Sequence, residues 1–247
     1  MKHIEVQYLI QLGSNMHTEQ VQSVIRLLKQ IETEHRPSAF ACSFGLEDMV
    51  LLDLIAKQAP KIEVFSLDTG RLPDETHVLW DQVRERYTIP IQIYFPDAAQ
   101  VEAWVMQNGT NGFYHSMSQR KQCCEIRKVI PLGRALNGRK AWITGLRREQ
   151  SNARQSLQIQ EWDESNGLHK FSPLLEWTLD DVWEYVKENK IPYNALHDRG
   201  YPSIGCAPCT RAVEPGQDFR AGRWWWEETG AKECGLHVGR PKGAEKH

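Results

Sequence analysis

Four of the six cysteines in this 247-residue chain fall in two tight pairs, Cys123-Cys124 and Cys206-Ala207-Pro208-Cys209. Four thiolates are the donor set that closes a tetrahedral zinc site or holds an iron-sulfur cluster. Paired ligands of structural zinc are usually separated by about two to four residues, so the adjacent Cys123 and Cys124 tilt the reading toward a cluster. The competing readings are buried free thiols or a CxxC redox pair. Cys42 lies inside an apolar run, where a small thiol packs well, and is read as structural. Cys234 differs, because Glu233-Cys234-Gly235-Leu236-His237 has no apolar periodicity to bury it. A thiol near a histidine is a candidate nucleophile, although tail cysteines without a role are also common.

Cationic residues gather in two stretches, Arg147, Arg148 and Arg154, then Arg211, Arg220 and Arg223, with Lys128 one helical turn after Cys124. Guanidinium forks bind phosphate or sulfate, and a thiolate attacking an anionic sulfur needs positive charge to offset the repulsion. A solvated charged surface is the alternative for any single arginine. Trp224, Trp225 and Trp226 read as packing. The segment Ser43-Phe44-Gly45-Leu46-Glu47-Asp48 is a Ser/Gly turn, which aims backbone N–H groups and a helix N-terminus at one spot suited to phosphate. An ordinary strand-helix connection explains it equally well. Leu67-Asp68-Thr69-Gly70 ends the following strand at the carboxyl edge of a sheet, where open α/β folds bind ligands. Asp68 taken alone reads first as an Asx-turn residue.

These segments need elements to bring them together. Apolar residues recur at helical spacing through Val21, Ile25, Leu28 and Ile31, then give way to a strand-like run, Ala39 to Phe44. Met49 to Ala56 follows as a helix with the acidic pair Glu47-Asp48 in its first turn. The order repeats with a strand at Ile62 to Leu67, a helix at Pro73 to Tyr87 and a strand at Ile91 to Phe95. Helical patterns at Ala98 to Gln107 and Cys124 to Leu136 lead to a strand at Ala141 to Thr144. A further strand is expected at Leu157 to Trp162, then a helix at Leu179 to Asn189 with Thr178 as its N-cap. Strands alternating with helices predict an α/β fold, a parallel twisted sheet with helices on both faces and a loop-rich C-terminal segment.

The size suits one domain, expected over residues 1–230, with a mobile C-terminal tail at 231–247 carrying Cys234. A formal net charge of -2 gives no global sign of nucleic-acid or membrane binding. The N-terminal residues lack a signal-peptide pattern and no apolar run approaches a membrane span, so the expectation is a soluble cytoplasmic protein.

Taken together, SFGLED at 43–48, LDTG at 67–70, CCEIRK at 123–128, ITGLRREQS at 143–151, GCAPC at 205–209 and ECGLH at 233–237 resemble the assimilatory adenylylsulfate reductases. These are relatives of the phosphoadenylylsulfate reductases within the PP-loop adenine-nucleotide-binding superfamily. The resemblance runs from about Phe40 to His237. It implies that Cys123, Cys124, Cys206 and Cys209 hold one 4Fe-4S cluster, and that Cys234 attacks the sulfur of adenosine 5'-phosphosulfate, with Lys128 and His237 in the catalytic set. It implies nucleotide binding by Ser43, Gly45, Asp68, Gly70 and Gly145, with Lys128, Arg154, Arg220 and Arg223 facing phosphate and sulfate. It implies thioredoxin or a similar dithiol protein as reductant, and a homo-oligomer, dimer or tetramer. Phe44 stands where the wider superfamily pattern SGGxDS has its second glycine, which argues against ATP cleavage at this turn. Three rivals remain open at this point: reduction of the 3'-phosphorylated nucleotide, an ATP pyrophosphatase, and a non-catalytic iron-sulfur sensor.

Overall fold

The computed structural model describes residues 2–227, with side chains described from His17 onward. The expected tail, with Cys234 and His237, lies outside the described residues. The chain runs α1 (Lys2–Glu34), β1 (Ser38–Ala41), α2 (Leu46–Gln58), β2 (Glu63–Leu67), α3 (Asp74–Arg86), β3 (Ile91–Tyr94) and α4 (Ala98–Asn108). It continues through α5 (Met117–Cys124), a π-helical turn (Glu125–Val129), α6 (Ile130–Leu136), β4 (Ala141–Ile143), β5 (Gln160–Asp163), β6 (Leu168–Phe171) and α7 (Leu179–Glu188).

The six strands form one sheet in the order β3-β2-β1-β4-β6-β5. All pairings are parallel except β5 with β6, an antiparallel hairpin at the edge. Both faces are buried, and the period of two along each strand shows how. Phe40, Val64, Ile143 and Phe171 point into a core with Val24, Leu28 and Ile31 of α1, the apolar residues of α2, and Val182 and Val186 of α7. Their neighbours Ala39, Phe65 and Trp142, with Leu168, point to the other face and meet Leu132, Ala135 and Leu136 of α6. A parallel sheet covered on both sides is the arrangement that such apolar strands demand.

Two parts differ from the pattern expected of the sequence. The strand expected at Leu157 to Trp162 begins later, at Gln160, and is one arm of a hairpin whose second arm, β6, was not expected. The helix expected at Cys124 to Leu136 starts earlier, at Met117, and is interrupted by the π-helical turn, beyond which Pro131 sits in the first turn of α6. Beyond α7, described residues form only short 3-10 turns at His197–Arg199 and Ala207–Cys209 and an isolated bridge between Thr210 and Arg223. Among the described residues no helix is long and apolar enough to cross a membrane.

Candidate active site

The strand order reverses between β1 and β4, since the chain winds outward from β1 to β3 and then returns to lay β4 on the other side of β1. Open α/β sheets bind ligands outside the carboxyl ends of the strands at such a switch. A cavity of about 220 Å³ opens there. One wall is the turn after β1, with Cys42, Ser43 and Gly45, and the facing wall is Thr144 and Gly145 after β4.

The turn after β1 is organised around Asp48, a residue not singled out from the sequence as a site residue. Its Oδ2 accepts hydrogen bonds from the Ser43 backbone N–H and from the Ser43 hydroxyl, each at 2.6 Å. The Gly145 N–H donates to the same carboxylate. A Cβ at 145 would collide with Asp48 Oδ1 and stand 3.1 Å from Glu47 Cβ, so glycine is what lets the loop after β4 close on α2. Burial pushes the Asp48 carboxyl up to about 6 against the pull of the Ser43 bonds, and the charge of Glu47 adds to the rise. Burial and Asp48 together hold the neighbouring Cys42 thiol well above the usual thiol range, so it packs as a neutral group. Phe44 keeps a positive φ of 59°, the conformation a glycine adopts freely. The cost of about 1–2 kcal/mol is offset by roughly 2–3 kcal/mol from burying its ring, which stacks on Trp80 at 6.3 Å.

The arginines sort into two groups. Arg154, Arg220 and Arg223 line the cavity with Lys128, and the three arginine residues are 6%, 8% and 5% exposed. Guanidinium and ammonium charges lining one cavity suit an anionic ligand there. Arg154 donates to Gln150 Oε1. Arg223 donates to Ser203 Oγ and the Ile204 carbonyl, both at 3.3 Å, while its Nε has no hydrogen-bond partner. Arg147, Arg148 and Arg211 do other work. Arg147 pairs with Glu47 at 2.8 Å and Glu149 at 3.1 Å, Arg148 pairs with Glu176, and Arg211 lies over the Trp225 ring.

In the loop after β2, Asp68 and Gly70 make a local turn outside the cavity lining. Asp68 Oδ1 accepts from the Gly70 N–H at 2.8 Å, Asp68 Oδ2 meets His77 Nε2 at 3.1 Å, and Gly70 has φ 68°. Thr69 between them, which the sequence reading passed over, lines the cavity and lies 3.3 Å through Oγ1 from Cys206 Sγ. Its carbonyl accepts from Arg127 Nη1 at 2.7 Å. Thr69 thus joins the cavity to the cysteines. His197, also unremarked in the sequence, lines the cavity with Nε2 lacking a hydrogen-bond partner, and burial holds its pKa low.

Cys123 and Cys124 close α5 where it widens into the π-helical turn, a feature common at functional sites, and Lys128 lies in that turn. Cys206 precedes and Cys209 closes the turn Ala207–Cys209, and both pack with Trp104, Phe113 and Trp224, with Cys123 against the same cluster. Trp224 is buried and, like Trp225 and Trp226, is outside the cavity lining. Burial, then the charge of Cys206, pushes the Cys209 thiol up to about 11, with Lys128 and Arg223 opposing. Burial raises Cys123 too, against the nearby charges of Arg127 and Lys128. Arg120 donates to Cys124 and holds Glu227 through two bonds, at 2.5 and 3.0 Å. Cys123, Cys206 and Cys209 interact with one another, and Cys124 adjoins Cys123 at the end of α5. Four thiols so arranged, with a hydroxyl on one sulfur and cations around them, form a donor set that fits an iron-sulfur cluster.

The family profile described as the phosphoadenosine phosphosulfate reductase domain matches residues 37–212. An adenosine 5'-phosphosulfate reductase of Allochromatium vinosum is 49% identical over 215 residues, 87% of this chain and 84% of that protein. One of Burkholderia cepacia is 51% identical over 218 residues, 88% of this chain and 87% of that protein. The crystal structure of a phosphoadenylyl-sulfate reductase from Candida auris, a phosphate complex, superposes with a TM-score of 0.67 at 30% identity, covering 77% of this chain and 90% of that one. A yeast FAD synthetase shares the fold alone, at 17% identity and a TM-score of 0.54, covering 80% of this chain and 67% of that one. With a profile match across most of its length and relatives at about half identity, the chain belongs to the phosphoadenosine phosphosulfate reductase domain family.

Proposed function

We propose that this protein reduces adenosine 5'-phosphosulfate to sulfite and AMP in sulfate assimilation, with Cys234 as the nucleophile. The observation that carries the reading is a switch-point cavity lined by three buried arginines and Lys128, next to Cys206, Cys209 and Cys123, with Cys124 adjoining Cys123 in α5. In this reading Ser43, Gly45 and Gly145 hold the nucleotide at the sheet edge, with Asp68 and Gly70 shaping the neighbouring loop. Lys128, Arg154, Arg220 and Arg223 offset the charge of phosphate and sulfate as a thiolate approaches. The Cys234 thiolate attacks the sulfate sulfur, the bond from that sulfur to the phosphate oxygen breaks, and AMP leaves with the bonding pair. Cys234, whose thiol proton His237 takes before the attack, then carries an S-sulfonate. A dithiol protein such as thioredoxin attacks Cys234 Sγ, releasing sulfite. Its second thiol resolves the mixed disulfide, so the two electrons come from the dithiol. Glu227, clamped to Arg120 on α5, supports this assignment because it holds the chain seven residues before Cys234 against the helix that bears Cys123 and Cys124.

Cys123, Cys124, Cys206 and Cys209 would hold a 4Fe-4S cluster, which supplies fixed charge beside Lys128 and leaves electron transfer to the thiols. The enzyme is assigned to the cytoplasm and to a homo-oligomer, with one catalytic domain spanning 1–230. Relatives named for the unphosphorylated nucleotide, at 49–51% identity, favour it over the 3'-phosphorylated one. The test is sulfite release from each nucleotide with thioredoxin as reductant, together with iron and acid-labile sulfide content. Faster release from adenosine 5'-phosphosulfate, with about four iron and four sulfide per chain, is expected. ATP consumption without sulfite would overturn the reading.

A further inference from the structure

Away from the cavity, where α1 meets α7, His17 is 7% exposed and neither ring nitrogen has a hydrogen-bond partner. A buried imidazole with both nitrogens unsatisfied is costly, and native folds seldom keep one without a use. Both nitrogens face acid. Nδ1 is 3.6 Å from Glu184 Oε2 and Nε2 is 3.9 Å from Glu188 Oε2, distances too long for hydrogen bonds. Asp181 completes the cluster, with ligand atoms of His17, Asp181 and Glu184 all within 4.8 Å of one another. Asp181 commits Oδ2 to the Thr178 cap, bonding its N–H and hydroxyl at 2.7 Å, which leaves Oδ1 for another ligand. The rings of Trp177 and Tyr185, 5.7 and 6.5 Å from the imidazole, wall the histidine on its protein side.

We propose that His17, Asp181 and Glu184 form a binding site for a divalent transition ion of the zinc class, pinning α1 to α7. One imidazole and two carboxylates are a recognised donor set for such an ion, with water in the fourth position. Asp181 and Glu184 are three residues apart, on one face of α7. Tetrahedral ligands at about 2.1 Å from an ion lie roughly 3.4 Å apart. The exposed Glu184 side chain closes the remaining gap by a small rotation. Glu188, 3.9 Å from the far nitrogen, would need to move closer to accept from it and fix the ring's tautomer when Nδ1 binds the ion.

The site is tested by titrating Co2+ into the purified full-length holoprotein carrying Cys234→Ser, wild type at the site and with its four cluster cysteines already ligated, followed by absorption and thermal melting, with sulfite release read in the Cys234 background. The wild type is expected to take up one equivalent with nitrogen-and-oxygen bands and no thiolate charge transfer, and to melt higher. His17→Gln and Glu184→Gln are each expected to lose that equivalent and the melting shift while retaining sulfite release. Glu184 is exposed, so Glu184→Gln folds even if His17→Gln does not. Equal uptake by wild type and Glu184→Gln, or no uptake by the wild type, would overturn the proposal. Cysteine chemistry and sulfite release are read separately, so the catalytic proposal stands or falls independently.

Discussion

Asp48 carries its carboxylate beside the place where an anionic nucleotide is proposed to bind, and its pKa of about 6 says how much that placement costs. Its folded pKa lies above the unfolded value of 3.8, so the fold is favoured below that value and loses stability as pH rises through 6. The loss amounts to roughly 3 kcal/mol. Urea titrations from pH 4 to 7 are expected to show this decline in the wild type relative to Asp48→Asn, and parallel curves would contradict it. The cavity arginines act at the same scale. Removing one charge-assisted bond costs about 1.5–3 kcal/mol. Calorimetric titration with AMP should therefore weaken on the order of 10- to 100-fold in Arg154→Gln. Arg148→Gln, outside the cavity, is the control expected to bind as the wild type does. Equal losses in both would mean that the arginines matter only through bulk charge.

The first turn of α2 and the loop after β4 are held together by Arg147 and Glu47, a pair of which Arg147 is only 1% exposed. Leaving Glu47 buried without its partner costs about 3–5 kcal/mol, so Arg147→Met is expected to lower the denaturation midpoint sharply while Arg148→Met barely moves it. At α7, Thr178 accepts from the Asp181 N–H in a reciprocal capping box, and Thr178→Ala should cost about 1 kcal/mol. Thr178 as a cap was legible from its position before an amphipathic run, and so were the alternating strands and helices through β4. The hairpin of β5 and β6 was not, because Leu168-His169-Lys170-Phe171 places two polar residues inside a four-residue strand that pairs on both sides. The π-helical turn was invisible for a different reason. CCEIRKVIPL has a continuous helical pattern, and one extra residue per turn leaves no mark in it. In the site, cysteine pairs and arginine stretches announced themselves by residue type, whereas Thr69 and His197 act through where the loops fold back. Asp68 carried the more conspicuous side chain of its turn, yet that side chain closes the turn on Gly70 and His77.

Across the whole molecule, a sheet that reverses direction between β1 and β4 opens a crevice, and the segment after α7 folds over it. That segment brings Arg220 and Arg223 to the crevice and Cys206 against its Thr69, and its Glu227 is clamped to the helix that bears Cys123 and Cys124. The charge there is local in a chain whose net charge is only -2, so binding depends on those few side chains and not on a broad field. The account's central claim is that Cys234 attacks the sulfate sulfur of a nucleotide held in this crevice. Intact mass of the anaerobically purified protein, mixed with adenosine 5'-phosphosulfate and no reductant, tests it most directly. The account predicts a gain of one SO3 group on the wild type and none on Cys234→Ser. An unmodified wild type, or the same adduct on Cys234→Ser, would contradict it.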